Sequence, residues 1–304
     1  MPLTTTTRRV LGSVGALAAL SSAFTVGVVA GAGSEQAEEP ARVAVAPGLL
    51  DDAAAQIAAQ SLHPVDRKAL DAAAIDGMLQ AAGDPWGRWS DSSSRHRTTS
   101  SPVSVVLLPA ASRVGRITVT SFGRGTGRGV RAALTGLRTQ HAAGVILDLR
   151  GNPGGLLDEA VETASAFLDG GRVVSYARRG AAAVQLDAVG TGDVTTSLVV
   201  LVDGGTASAA EVVAGALQDR GRAVLVGSRT FGKGTVQEPR RLADGSALEL
   251  TVAHYATPSG RSVDGVGLVP DIDVATGSAP DVAVRRALQV LIGLSADRSV
   301  GARR

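Results

Sequence analysis

The chain has 304 residues, 44% of them hydrophobic and 19% charged, so it has length for one large domain or two modest ones and the balance of a packed globular protein, not a disordered one. Its formal net charge is only +2 and no basic block interleaves with aromatics, which excludes a dedicated nucleic-acid surface. It has no cysteine, which excludes disulfides, thiolate metal sites and a cysteine nucleophile.

In chain order, Arg8 and Arg9 precede a nearly uncharged stretch from Val10 to Ala32, and Ala30-Gly31-Ala32 fits an A-x-A cleavage site. Residues 1–32 read as a cleaved signal peptide or an uncleaved anchor, with 10–32 as the candidate membrane contact; both imply export into the cell envelope or beyond. Residues 33–48 read as a linker. Residues 49–112 form an N-terminal region: an Ala-rich helical pattern from Leu49 to Ala82, broken at Leu62-His63-Pro64 and ended by Asp84-Pro85-Trp86, then a Ser/Thr-rich loop. From 113 a strand–helix rhythm starts. Strands are expected at 113–122, 144–150, 172–180, 197–205 and 222–227, with helical patterns between them. The runs "GVILDLR" and "SLVVLV" are apolar throughout, as in strands buried on both faces. The alternation predicts an α/β core, 113–276, around a largely parallel sheet with crossover helices. Two strands around Asp244-Gly245 predict a hairpin, and an amphipathic helix over 280–292 lies in a C-terminal segment, 277–304.

"VLVGSRTFGKGTVQ", residues 224–237, carries most of a phosphate-binding loop, G-x-x-x-x-G-K-[ST], but Gly234 stands where Ser or Thr is needed. A hairpin pattern follows in place of the phosphate-binding helix, which argues against a nucleotide site; Asp148 only imitates the acidic strand end of such enzymes. Lys233 then needs another role. Of 30 basic residues only Lys68 and Lys233 are lysine, and lysine, unlike arginine, can lose its proton in a buried site.

Ser208 opens a helix after the buried strand 197–205, and the strand leading to Lys233 is a neighbour of that strand in a parallel sheet, so the two residues can meet at one sheet edge. Two roles stay open for Ser208. Ser208-Ala-Ala-Glu211 is a capping box, S-x-x-E; alternatively Ser208 is a nucleophile with neutral Lys233 as its base. There is no G-x-S-x-G elbow. The glycines of "LRGNPGGL", 149–156, relieve a strand-to-helix turn or present backbone amides to a reacting carbonyl. His63, His96, His141 and His254 compete as bases, but none falls in a convincing triad order or at metal-ligand spacing. No metal and no cofactor are expected.

The stretches "GVILDLRGNPGGLLDEAV", "LVVLVDGGTASAAEVVAGALQDRGRAVLVGSRTFGKGTVQ" and "YATPSGRSVDGVGLVPDIDV" resemble the C-terminal processing (tail-specific) serine peptidases, over about 113–292. "GDPWGRW", 83–89, is similar to the segment that precedes their core. The resemblance implies a crotonase-like (ClpP/crotonase-type) α/β core, protein or peptide substrates, Ser208 as nucleophile and Lys233 as general base. It also implies that Gln237 supports the lysine, that the amides of Ala209 and of Gly154 or Gly155 are oxyanion donors, and that Asp219 is a supporting acid. The chain departs from the family twice: Ala210 replaces a usual Ser, and residues 90–112 are too few for the PDZ domain most members carry there. Two functions follow: an exported serine peptidase, or an inactive relative serving as a binding or scaffold protein.

Overall fold

A computed structural model describes residues 48–91, 102–108 and 113–301, with side chains to residue 294. The expected signal segment 1–32, nearly all of the linker, His96 and most of the Ser/Thr-rich loop lie outside the described residues. The chain divides into two compact units at Leu70. In the first, α1 (Leu49–Gln60) is Ala-rich and carries Asp51 and Asp52 in its first turn, where they suit the positive end of the helix dipole. Arg67 pairs with Asp51. The chain bends at Leu62-His63-Pro64, as the sequence predicts, and Asp66 caps the next helix by accepting the Ala69 N–H at 2.8 Å. That helix, α2 (Arg67–Ala81), runs across the division and stops before Gly83 (φ 67°).

The second unit holds β1 (Arg88–Ser90), β2 (Val103–Leu107), β3 (Val114–Val119), α3 (Thr126–Thr139), β4 (Gly144–Asp148), α4 (Leu157–Ser165), β5 (Arg172–Arg178), β6 (Val184–Asp187), β7 (Ser197–Val202), α5 (Ala209–Asp219), β8 (Val224–Gly227), β9 (Thr235–Arg241), β10 (Ala247–Ala256), β11 (Ile272–Asp273) and α6 (Pro280–Gly301). A six-stranded sheet has the order β11-β8-β7-β4-β3-β2, parallel except for β2. Its central strands are apolar throughout because both faces are covered. Val145, Leu147, Leu198, Val200 and Leu225 face the α3, α4 and α5 side, whereas Ile146, Val199, Leu201 and Val226 meet Ala283, Ala287 and Leu291 of α6. The period-2 alternation thus serves two cores, one per face. Arg150 fastens α6 to this sheet: it grips the buried Asp148 through Nε (2.8 Å) and Nη2 (2.7 Å) and donates Nη1 to the Pro280 carbonyl at 2.8 Å. Asp148 is therefore half of an ion pair inside the fold.

The second sheet is antiparallel, β1-β10-β5-β6, with β9 on the other side of β10. β9 and β10 form the predicted hairpin, turned at Asp244-Gly245 with Asp244 accepting the Ser246 N–H at 2.9 Å. The sequence missed β1, β2, β6 and β11, which are two to five residues long and too short to show a period. The link from β8 to β9, which carries Lys233, passes from one sheet to the other. Among the described residues no helix is long and apolar enough to cross a membrane.

Candidate active site

β7 and β8 are paired in parallel, with Val202 opposite Gly227, so the loops that follow them leave the sheet side by side. The β7 loop delivers Ser208 and the β8 loop delivers Lys233. Both residues line one cavity of about 520 Å³, together with Gly155, Ala209, Gln237 and Tyr255.

Ser208 sits at φ 54°, ψ −120°, a conformation that side chains other than glycine's rarely adopt. Such a residue stores roughly 1–3 kcal/mol of strain and persists only where its surroundings over-determine it. Here they do. The fully buried Glu211 accepts the Ser208 N–H at 2.9 Å through Oε2. The capping box is therefore formed, and the Glu211 N–H also bonds to the Ser208 carbonyl oxygen at 2.8 Å. The Tyr255 hydroxyl donates to the same carbonyl at 3.1 Å. Burial, then the nearby Glu211 and Asp264 carboxylates, push the Tyr255 phenol well above its ordinary pKa, so it stays a donor. The cap and the nucleophile are compatible: capping fixes the backbone while Ser208 remains partly accessible in the cavity.

The loop after β4 is stitched to the Ser208 loop. The Ala207 N–H donates to the Asn152 carbonyl at 2.9 Å, Thr206 Oγ1 to the Leu149 carbonyl at 2.9 Å, and the Gly151 N–H to Asp203 Oδ1 at 2.8 Å. Buried Asn152 accepts the Gly154 N–H at 2.9 Å and donates to the Val119 carbonyl at 2.9 Å. This separates the two glycine candidates: the Gly154 amide is engaged, while among the described residues the Gly155 and Ala209 amides have no hydrogen-bond acceptor. Gly155 is held at φ 143°, and a Cβ there would lie 2.4 Å from the Phe122 carbonyl oxygen, so only glycine fits. A Cβ on Gly154 would lie 2.9 Å from Ser208 Cβ, which measures how closely the two loops approach.

On the lysine side, the Lys233 N–H donates to Glu211 Oε2 at 2.9 Å, and the Gly232 N–H and Thr230 Oγ1 donate to Oε1 at 2.9 and 2.5 Å. One carboxylate thus joins the backbones of Ser208 and Lys233. The Lys233 side chain is freer. Among the described residues no hydrogen bond joins Nζ to Ser208 Oγ; Nζ lies 5.1 Å from the Trp86 ring centroid. Burial first, then the Arg88 guanidinium, push the Lys233 amine below the ordinary lysine range, against the pull of Glu249 and Asp84. Gln237 does not hold Lys233 here: its Nε2 donates to Thr235 Oγ1 at 2.7 Å and Thr251 Oγ1 at 3.3 Å. The glycine at 234 has a packing cause. A Cβ there would lie 2.5 Å from the Asp264 backbone nitrogen, and strand β9, not a helix, follows.

Asp219 ends α5 and is absent from the cavity lining. Burial alone would raise its pKa, but hydrogen bonds from Ser259, Thr257 and Arg261 outweigh it and hold the carboxyl below its usual range. It braces the 257–261 turn. His254 is 68% exposed, 3.6 Å from Asp264, and does not line the cavity; His63 and His141 are exposed as well. Read alone, the sequence assigns Glu211 only a capping part and does not single out Asn152 or Tyr255. A glutamate in the otherwise apolar helix "AAEVVAGAL" was the available signal for the first, since a buried charge must be paired.

Comparison with known proteins places the fold in a known family. The model of Peptidase family S41 matches residues 113–274. The chain is 40% identical over 185 residues to carboxyl-terminal-processing peptidase 3, chloroplastic, of Arabidopsis thaliana, covering 58% of this chain and 36% of that protein. It is 43% identical over 167 residues to the carboxy-terminal-processing protease of Bartonella bacilliformis, covering 53% and 38%. The matched part is thus under half the length of these curated relatives. Among solved structures, the photosystem II D1 C-terminal processing protease aligns with TM-score 0.55 and 36% identity, over 64% of this chain and 54% of that one. A lipoprotein from Streptococcus agalactiae shares the fold at TM-score 0.62 and 16% identity, over 80% and 87%.

Proposed function

The chain belongs to Peptidase family S41, and on that premise we propose that it is a serine endopeptidase of the C-terminal processing type, with Ser208 as nucleophile and Lys233 as general base. The observation that carries this is the convergence, on one cavity, of a strained and partly accessible Ser208, a lysine depressed by burial, and the uncommitted amides of Gly155 and Ala209. Lys233 Nζ takes the Ser208 hydroxyl proton as Oγ attacks the carbonyl carbon. The oxyanion accepts from the Gly155 and Ala209 N–H groups, and the positive end of α5 adds to the same field. Lys233 then gives its proton to the leaving amine, the C–N bond breaks, and an acyl ester remains on Ser208. Water attacks the ester, its proton passes to Lys233, and Oγ departs and is reprotonated from the lysine.

In this reading Nζ swings from Trp86 toward Ser208, and Gln237, which lines the cavity, steadies it there through its amide oxygen. Asp219 keeps a supporting part through the 257–261 turn. The proposal extends to export through residues 1–32, on the strength of Arg8, Arg9 and the uncharged run after them, and to the lack of a PDZ domain within residues 90–112, ahead of β3. The test is incubation with an unstructured protein substrate. The wild type cleaves it and Ser208→Ala and Lys233→Ala do not; a wild type no faster than either variant refutes the peptidase assignment in favour of a scaffold.

A further inference from the structure

The segment Asp84–Arg88 stands against the lysine side of the site. Asp84 accepts the N–H groups of Trp86 (3.1 Å) and Gly87 (2.9 Å), and on β10 it accepts Thr251 N–H (2.8 Å) and Oγ1–H (2.7 Å). A Cβ on Gly87 would lie 2.7 Å from Leu79 Cδ2, so the turn is packed closely from behind. The Trp86 ring held this way touches the lysine loop twice. It meets Phe231 edge-on, with centroids 5.6 Å apart and planes at 63°, and Lys233 Nζ lies over it at 5.1 Å from its centroid. Trp86 does not line the cavity that Ser208 and Lys233 share. Its influence on catalysis would pass through the lysine, not through contact with substrate.

The chemistry of this contact is one-sided. An aromatic face attracts an ammonium ion and gains little from a neutral amine. A general base must be neutral to take the Ser208 proton. The other groups that face the amine are Arg88, Glu249 and Asp84, while Glu211 holds the Lys233 backbone N–H. We propose that Trp86 is a positioning residue that parks protonated Lys233 away from Ser208, so that catalysis begins when the amine leaves the ring and gives its proton to solvent. This rests on the Ser208–Lys233 assignment above. Asp84 couples the parking place to Gln237 through Thr251 Oγ1, which bonds to Asp84 on one side and to Gln237 Nε2 on the other. The ring and the expected support of the lysine therefore share one anchor.

The chain suits a direct test because Lys68 and Lys233 are its only lysines. Protein labelled with carbon-13 at lysine Cε gives two side-chain NMR signals, assigned with Lys68→Arg. In the wild type the Lys233 signal is displaced by the indole ring current. In Trp86→Leu that displacement is lost, and the Lys233 titration midpoint falls by roughly half to one pH unit, because the ring no longer favours the cation. In the cleavage assay the acid limb of kcat moves down by the same amount with KM unchanged, raising the rate on that limb about three- to tenfold. Trp86→Phe, with a weaker aromatic face, moves both in the same direction by less, and serves if the leucine variant does not fold. A Lys233 signal and midpoint unchanged in either variant overturn the proposal, as does slower cleavage with an unmoved acid limb. Wild type that cleaves nothing at any pH refutes the peptidase assignment instead, and is told apart because the NMR titration does not depend on cleavage.

Discussion

Ser208 and Lys233 hang by their backbone N–H groups from the same oxygen of Glu211, yet their surroundings differ. The serine loop is fastened on every side. Asn152, Asp203, Thr206 and Tyr255 bond it to the loop after β4 and to β10, and together they hold Ser208 in its unfavourable φ. Across the cavity the side chains are loosely committed: Lys233 rests on an aromatic face and Gln237 on two threonines. A nucleophile and an oxyanion site gain from being preorganised, because they must match one transition-state geometry. A base that is protonated and deprotonated twice per turnover gains from room to move. The difference suggests that activity in this chain is set on the lysine side.

The largest effects expected are those that remove either half. Ser208→Ala and Lys233→Ala each lower kcat by about 10³-fold or more, and the double variant is no slower than the worse single, because the two act as a unit. Independent, multiplying losses would break the pairing. Glu211→Ala strikes the shared anchor. It leaves four donors without their acceptor and destabilises the fold by roughly 3–5 kcal/mol in urea titration, with loss of cleavage. Gly234→Ser restores the phosphate-loop spelling and sharpens the assignment of that loop. We expect a loss of about 1–3 kcal/mol, since a side chain collides with Asp264, and no binding of ATP in calorimetry. Gln237→Ala separates the two sides: kcat falls about tenfold, the worth of one modest hydrogen bond, while the urea midpoint stays put.

The smallest effect concerns pH. The base works only when neutral, so kcat rises with pH through the Lys233 midpoint. Because burial and Arg88 lower that midpoint, the rise is centred below the ordinary lysine value of about 10.4. Arg88→Gln removes a like charge and moves the limb up by about a few tenths of a pH unit, a small change because Arg88 is largely solvent-exposed.

Much of this was legible in the sequence for physical reasons. The apolar runs of β4 and β7 announced a sheet covered on both faces, and Asp244-Gly245 announced the hairpin that excludes a phosphate-binding helix. The rarity of lysine pointed to Lys233, and S-x-x-E pointed to the cap that fixes the Ser208 backbone. Three things were hidden. A positive φ at a serine leaves no residue signature, because glycine, its usual marker, is absent at that position. The contact of Trp86 with Lys233 joins distant parts of the chain through packing alone. The partners of Gln237 depend on the register of β9 on β10, which sets Gln237 opposite Thr251 and which no local pattern encodes.

The central claim is that Ser208 becomes acylated with Lys233 as its base. Acid quenching of the wild type during turnover of a peptide ester, followed by peptide mapping in a mass spectrometer, tests it most directly. The account predicts an acyl group on Ser208 that is absent from Ser208→Ala and lost in Lys233→Met. An acyl group on another residue, or undiminished acylation of Ser208 in Lys233→Met, would contradict it.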